Sequence, residues 1–279
     1  MDAPGTIVAV NDMHMHVYYM PAPSPGRKDT LVFLAGSGTE CPTYDFKSLW
    51  HPLMGLYNMA VVERPGYGWS GQTERPRDID AIVEETREAL RQAKVYGTFI
   101  PVAHSLSGLE AIYWAQKYPD EISAIIGLDM AVPQAYDTLK VPKFLAFIAW
   151  LGHFLRKPVA KTMVKNHPAV KNNILDEKEQ AVMRNIIEKQ LMSKNMMDEI
   201  GFVKENAYSV GRGECPFVPV LCFLSIDKAN LKRIPDWGQI HRDYFASNSK
   251  TKFIELPCGH YVHRELPDVI CKSMNQFLE

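Results

Sequence analysis

Two kinds of hydrophobic pattern alternate along the chain. Short apolar runs favour strands that are buried on both faces of a sheet, and apolar residues that recur every three or four positions favour amphipathic helices. The clearest helix is predicted at 78–94, where Ile79 and Ile82 share one face. Further helices are predicted at 45–57, 108–117, 236–246 and 267–278, and strands at 6–10, 14–20, 31–34, 60–62, 98–103, 123–128, 218–224 and 251–256.

The order of these elements predicts an α/β fold. The first two strands are joined at Asn11-Asp12, a pair that is typical of a hairpin turn. Strands and helices then alternate, which is typical of a mostly parallel sheet with helices on both faces. We therefore expect about eight strands in one central sheet flanked by helices.

The pattern changes between residues 133 and 213. This segment is rich in lysine and methionine, and it predicts several helices without a strand between them. A strand is predicted again at 218–224, so the segment interrupts one α/β unit. We therefore predict a core domain formed by residues 1–132 and 214–279, with residues 133–213 inserted as an all-helical cap.

Composition narrows the choice of partners. The 279 residues are 46% hydrophobic and 23% charged, which is ordinary for a globular enzyme. The formal net charge of −1 argues against nucleic-acid binding, which needs a basic stripe. The chain also lacks an apolar run of about 18 residues, the length that spans a membrane. We expect a small-molecule substrate and neither a nucleic-acid nor a membrane partner, and the sequence leaves a homodimer open.

Cysteine and glycine patterns address compartment and cofactors. The five cysteines form an odd set without zinc-site spacing, which is typical of reduced cytosolic thiols. The N-terminus lacks the basic-then-apolar pattern of a signal peptide. Gly66-Tyr67-Gly68 is not a dinucleotide fingerprint, because the third glycine and the acidic partner are missing. The sequence predicts a cytoplasmic protein with neither metal nor cofactor.

Ser105 is the candidate nucleophile. It lies in His104-Ser105-Leu106, between a predicted strand and a predicted helix, where a sharp turn forces the serine out of the sheet. Such a turn needs small residues two positions before and after the serine, and Ala103 and Ser107 meet that need. Ser107 is the rival serine, but choosing it would put Ala103 out of register.

A serine hydroxyl is a weak nucleophile without a base, and His260 is the best candidate for that base. It follows the last predicted strand and precedes the last predicted helix, so we expect it at the same edge of the sheet as Ser105. Gly259 permits a tight turn that frees the imidazole. His263 is the nearest rival, but we assign it to the start of the last helix and to the surface.

Four segments resemble, in this order, landmarks of the α/β-hydrolase fold superfamily. The four segments are Ala35-Gly36-Ser37, Arg64-Pro65-Gly66-Tyr67-Gly68-Trp69-Ser70, the turn at Ser105, and Gly259-His260. Together they span nearly the whole chain outside the predicted cap. The resemblance implies a serine hydrolase with a helical cap. It also implies that the substrate is a small or medium apolar ester, or a related acyl compound, cleaved through an acyl-enzyme.

The same resemblance implies an oxyanion hole. Its two donors would be the backbone N–H groups of Leu106, which follows the nucleophile, and of Ser37, in the loop after the third strand. Such donors contribute about 3 kcal/mol each to transition-state stabilisation.

Two aspartates compete for the acid that holds the base. Asp129 ends the sixth predicted strand, where some capped members of the superfamily carry their acid, and Asp227 follows the seventh, the commoner place. We favour Asp129, because Ser225-Ile226-Asp227 is one residue shorter than the superfamily pattern. Both aspartates remain candidates at this point.

Other activities of this fold differ in what they require. A dehalogenase or an epoxide hydrolase would need an aspartate nucleophile, and position 105 is a serine. A carbon–carbon bond hydrolase, an aminopeptidase or an acyltransferase can use the same triad, and a ligand-binding receptor can use the same fold. The sequence leaves these four alternatives open.

Overall fold

The computed structural model describes residues 3–24, 28–137, 145–234 and 236–279, with side chains described except at 145–154, 229, 230 and 233. The strands are β1 (Thr6–Val10), β2 (Met13–Met20), β3 (Thr30–Leu34), β4 (Asn58–Glu63), β5 (Phe99–His104), β6 (Ile125–Leu128), β7 (Val220–Ser225) and β8 (Thr251–Leu256). The helices are α1 (Pro42–Asp45), α2 (Lys47–Leu53), α3 (Ile79–Gln92), α4 (Ser107–Lys117), α5 (Leu145–Asn166), α6 (Pro168–Lys171), α7 (Glu177–Gln190), α8 (Lys194–Gly211), α9 (Lys228–Arg233), α10 (Trp237–Tyr244), α11 (Val262–Glu265) and α12 (Pro267–Leu278).

The described strands form one eight-stranded sheet in the order β1-β2-β4-β3-β5-β6-β7-β8. Strand β2 runs antiparallel to both of its neighbours, β1 and β4, and every other neighbouring pair is parallel. The predicted hairpin is present, with Asn11 in the left-handed region at φ 54°. These features confirm the predicted α/β fold with a mostly parallel central sheet.

The sheet separates two hydrophobic cores, which explains why its central strands are continuous apolar runs. In β3, Val32 and Leu34 face one core and Leu31 and Phe33 face the other, and all four are fully buried. Helices therefore have to cover both faces, because neither face can be left to solvent. The packing holds the carboxyl ends of the parallel strands at one common edge.

The predicted helix at 45–57 differs from the structure. Two short helices, α1 and α2, take its place, and the second ends at Leu53. Met54 has extended backbone with ψ 136°, and Gly55 follows at φ 82°, a conformation that glycine adopts without strain. The apolar spacing correctly indicated helical structure here, but the turn that follows α2 was not predicted.

The described part of residues 133–213 contains helices and a 3₁₀ turn at Pro133–Tyr136, and no strand. Residues 138–144 lie outside the described residues. Helices α5, α6 and α7 share an apolar cluster in which Ala160, Val164 and Ile187 pack with Cys41 and Tyr44 from outside the segment. None of the described helices is both long and apolar enough to cross a bilayer. The division into a core domain and a cap stays a prediction.

A buried carboxylate, that of Asp45, joins three parts of the chain. Its Oδ1 lies 2.9 Å from Nε2 of His167, its Oδ2 lies 2.7 Å from Nε2 of His263, and Arg264 pairs with it at 2.6 Å. Burial alone would raise the pKa of the Asp45 carboxyl, but Arg264 and the two histidines hold it well below its usual value. The charged carboxylate therefore stabilises the fold.

We predict that Asp45→Asn destabilises the protein in a pH-dependent way. A carboxyl with a lowered folded-state pKa stabilises above its unfolded value of about 3.9, and that contribution disappears as the pH falls through the folded-state value. Urea unfolding at pH 7 should show a loss of about 3–5 kcal/mol, and the difference from wild type should shrink below about pH 4. The matched control is Asp120→Asn at the surface, and a pH-independent difference for Asp45→Asn would contradict the assignment.

Candidate active site

Strand β5 and helix α4 are joined by a sharp turn at Ser105. This residue has φ 54°, a left-handed conformation that non-glycine residues rarely adopt. Ala103 is fully buried before it, and the Ser107 hydroxyl after it lies 2.7 Å from the carbonyl oxygen of Leu34. Ser107 is thus bonded within the fold, whereas the Ser105 side chain is directed into a cavity that it helps to line.

The turn is packed against its neighbours so closely that two glycines are required. A Cβ added to Gly36 would lie 2.7 Å from the Cβ of Ser105. A Cβ added to Gly108 would lie 2.2 Å from the carbonyl oxygen of Ala131, in the loop after β6. Gly36 therefore lies directly against Ser105, and Gly108 lets the start of α4 lie directly against the loop after β6.

A continuous hydrogen-bond chain runs from Ser105 to Asp129. Nε2 of His260 lies 2.8 Å from the Ser105 Oγ, and its Nδ1 lies 2.6 Å from Oδ2 of Asp129. The other oxygen of Asp129 accepts bonds from the Ser225 backbone N–H at 2.8 Å and from the Trp237 indole N–H at 2.7 Å. Asp129 is fully buried, and these bonds fix both of its oxygens.

The structure places the two candidate acids differently. Asp129 follows β6 with φ 48°, which turns its carboxylate towards His260. Asp227 lies two residues beyond β7, is partly exposed, and donates its backbone N–H to Ser225 Oγ at 3.4 Å. The carboxylate that reaches the imidazole is that of Asp129. His263, which we expected at the surface, is fully buried against Asp45.

Two residues that line the cavity beside Ser105 are Ser37 and Leu106. Within the described ranges, neither backbone N–H donates a hydrogen bond to another protein atom. Helix α4 begins at Ser107, directly after Leu106, and the N-terminal end of a helix favours negative charge. The two N–H groups are therefore candidate donors to an oxygen that carries developing charge.

The cavity has a volume of about 280 Å³. Apart from the residues already described, its lining is almost entirely apolar and consists of Ala131, Ala135, Tyr136, Ile200, Val203 and Ile234. Asp129 carries the one carboxyl group among the described lining residues, and that group is already bonded to His260. The geometry suits a neutral apolar molecule, which matches the usual composition of small-molecule sites. Among the described residues, no cluster of three metal-ligating side chains is arranged to hold a metal ion.

Comparisons with solved structures identify the fold. The epoxide hydrolase CorEH has a TM-score of 0.70 at 18% identity, covering 98% of this chain and 97% of that one. The enol-lactonase of Burkholderia xenovorans LB400 has a TM-score of 0.63 at 15% identity, covering 98% and 99%. The chain has the α/β-hydrolase fold.

The sequence comparisons add a relative. Uncharacterized protein YbdG of Bacillus subtilis strain 168 is 34% identical over 287 residues, covering 98% of this chain and 85% of YbdG. The two proteins belong to one family. No family model matches the chain.

Two side chains around Ser105, His260 and Asp129 were not assigned from the sequence. Trp237 holds Asp129, and the ring of His104 lies 4.8 Å from that of His260. Nε2 of His104 is 3.2 Å from the His260 carbonyl oxygen, and burial, followed by the nearby His263 and His260, holds the pKa of His104 well below its usual value. A neutral His104 that donates to this carbonyl supports the His260 loop. In the sequence, the position of His104 next to Ser105 was the one indication of this supporting role.

We predict that Gly36→Ala reduces the reactivity of Ser105. The new methyl group has to displace the serine or His104, and a displacement of about 1 Å at a reacting group costs about 10²-fold in rate. The measurement is the rate of covalent labelling by a fluorophosphonate. Gly201→Ala, in α8, is the matched control because its Cβ meets nothing within 4 Å, and equal labelling rates for the two variants would refute the close-packing argument.

Proposed function

We propose that this α/β-hydrolase is a serine hydrolase that cleaves a small or medium neutral ester, thioester, lactone or amide. The observation that carries the proposal is the chain Asp129–His260–Ser105, with contacts of 2.6 and 2.8 Å, at the wall of an apolar cavity. Nucleophile, base and orienting acid in this arrangement define a triad by geometry rather than by sequence position.

The first half-reaction forms an acyl-enzyme. Ser105 Oγ attacks the carbonyl carbon while its proton passes to Nε2 of His260, and Asp129 stabilises the resulting imidazolium through Nδ1. The carbonyl oxygen becomes an oxyanion that the N–H groups of Ser37 and Leu106 stabilise. The tetrahedral intermediate then collapses, the bond to the leaving group breaks, and His260 donates its proton to that group.

The second half-reaction regenerates the enzyme. A water molecule gives a proton to His260 and attacks the acyl carbon, so that a second tetrahedral intermediate forms in the same oxyanion hole. Its collapse breaks the bond to Ser105 Oγ, which regains the proton from His260, and the free acid leaves. No cofactor is needed for either step.

The cavity argues against one of the alternatives that the same triad allows, an aminopeptidase. An aminopeptidase needs an acidic group for the free amine of its substrate, and the carboxylate of Asp129 is already bonded by His260, Ser225 and Trp237. Burying an amine without such a partner is costly. A receptor on this fold would bind its ligand tightly with negligible turnover, and measured turnover separates it from an esterase.

We predict that a fluorophosphonate probe labels wild-type protein once, on Ser105. The reagent takes the place of the acyl group, so the labelling needs the same serine, base and oxyanion hole. Intact mass and peptide mapping are the measurements. Ser105→Ala should remove the label, and Ser107→Ala should keep it, because Ser107 is bonded to Leu34. A label that persists in Ser105→Ala would sink the proposal.

We predict that Asp129→Asn lowers turnover of an ester by about 10⁴-fold, because the amide no longer fixes the productive tautomer of His260. Asp227→Asn, the matched control, should stay within about threefold of wild type, as surface changes usually do. Steady-state kinetics with a p-nitrophenyl ester provides the measurement. Equal mild losses for the two variants would mean that the acid has been misassigned.

A further inference from the structure

The Arg64 side chain joins three parts of the molecule, and the proposed reaction gives it no role. It follows β4 and is 4% exposed. Its Nη1 donates to the carbonyl oxygen of Ala35 at 2.8 Å and to Oε2 of Glu110 at 3.2 Å. Its Nε and Nη2 donate to the two carboxylate oxygens of Glu199 at 3.0 and 3.1 Å. One guanidinium thus makes four hydrogen bonds with its five N–H groups.

The Ala35 contact connects Arg64 to the oxyanion hole. Ala35 is two residues before Ser37, in the short loop after β3 whose Gly36 touches Ser105. A hydrogen bond from the charged Arg64 guanidinium to the Ala35 carbonyl oxygen holds this loop in place. The position of the Ser37 amide relative to Ser105 therefore depends on where Arg64 lies.

The Glu199 contact connects the same guanidinium to the cavity wall. Glu199 is in α8 and directly precedes Ile200, and Val203 lies one turn further on. Both apolar side chains line the cavity. Glu199 is 1% exposed, and its Oε2 also accepts the hydroxyl of Tyr67 at 2.6 Å. The carboxylate is therefore held in one orientation by two partners.

Other buried hydrogen bonds support the start of α8. They do not reach residues 35–37, the oxyanion loop after β3. Ser193 Oγ donates to the carbonyl oxygen of Gly66 at 3.0 Å, and the amide of Asn195 exchanges two bonds with Thr73 at 2.7 and 3.0 Å. These contacts place α8 on the loop after β4. Arg64 differs because it bonds both to Glu199, which directly precedes the cavity-lining Ile200, and to Ala35 in the oxyanion loop.

We propose that Arg64, through Glu199, is a positioning residue that fixes the distance between the oxyanion hole and the α8 wall. That distance limits the length of the substrate chain that the cavity accepts. The proposal rests on the proposed serine hydrolase function. Because breaking a buried, bidentate ion pair is strongly unfavourable, the wall resists being pushed outward by a long chain. Substrates too short to reach Ile200 and Val203 do not contact this wall, so their reaction rates do not depend on its position.

The test uses methanesulfonyl, butanesulfonyl and octanesulfonyl fluoride as probes of chain length. Ser105 Oγ attacks sulfur, the S–O bond forms, the S–F bond breaks, fluoride leaves and His260 takes the serine proton. Labelling rates are followed by intact mass for wild type, Tyr67→Phe, Glu199→Gln and Arg64→Lys. Tyr113→Phe is the matched control, because its hydroxyl bonds Asp80 on α3 rather than Glu199.

We expect the ratio of octane to methane labelling rates to rise about tenfold in Tyr67→Phe and in Glu199→Gln, since each loses a bond to a charged group. Tyr113→Phe should keep the wild-type ratio. Tyr67→Phe removes a single hydroxyl, so it keeps the test valid if Glu199→Gln or Arg64→Lys does not fold. The inference is overturned if the ratio in Tyr67→Phe is unchanged or lower than in wild type, or if the labelling rates of all three probes decline equally in that variant. Wild-type protein that no probe labels at Ser105 would instead overturn the proposed function.

Discussion

The hydrogen bond between Asp129 and His260 is the interaction on which the rest of the site depends. It fixes the imidazole with Nε2 towards Ser105, and it is itself fixed, because Asp129 is fully buried and bonded by Ser225 and Trp237. A buried carboxylate is stable only when its oxygens are satisfied. The indole of Trp237 and the end of β7 are therefore as much part of the site as the three triad side chains.

The parallel sheet explains how residues so distant in sequence meet. Ser105 follows β5, Asp129 follows β6 and His260 follows β8, and these strands lie in the order β5, β6, β7, β8 with their carboxyl ends at one edge. Ligands of open α/β sheets bind outside that edge. The two buried cores hold the strands in register, and the left-handed turns at Ser105 and Asp129 direct the side chains out of the sheet.

The sequence predicted the fold class and the neighbourhood of Ser105 and His260, because both depend on strand–turn–helix order, which hydrophobic pattern reveals. It favoured Asp129 over Asp227 without excluding either, because both follow adjacent strands and the choice depends on how each loop turns. Trp237 and His104 were not assigned, since their roles depend on side-chain direction. The helix predicted at 45–57 was wrong at both ends: helical structure begins earlier, at Pro42, and α2 ends at Leu53, before the turn in which Gly55 has φ 82°.

The most direct test of the serine mechanism is to isolate the covalent intermediate. A p-nitrophenyl dimethylcarbamate transfers a carbamoyl group that water removes slowly, so the intermediate accumulates after the first half-reaction. The account predicts a burst of one equivalent of p-nitrophenol per chain and a carbamoyl group on the peptide that contains Ser105. Slow release without a burst, or a carbamoyl group on another residue, would contradict it.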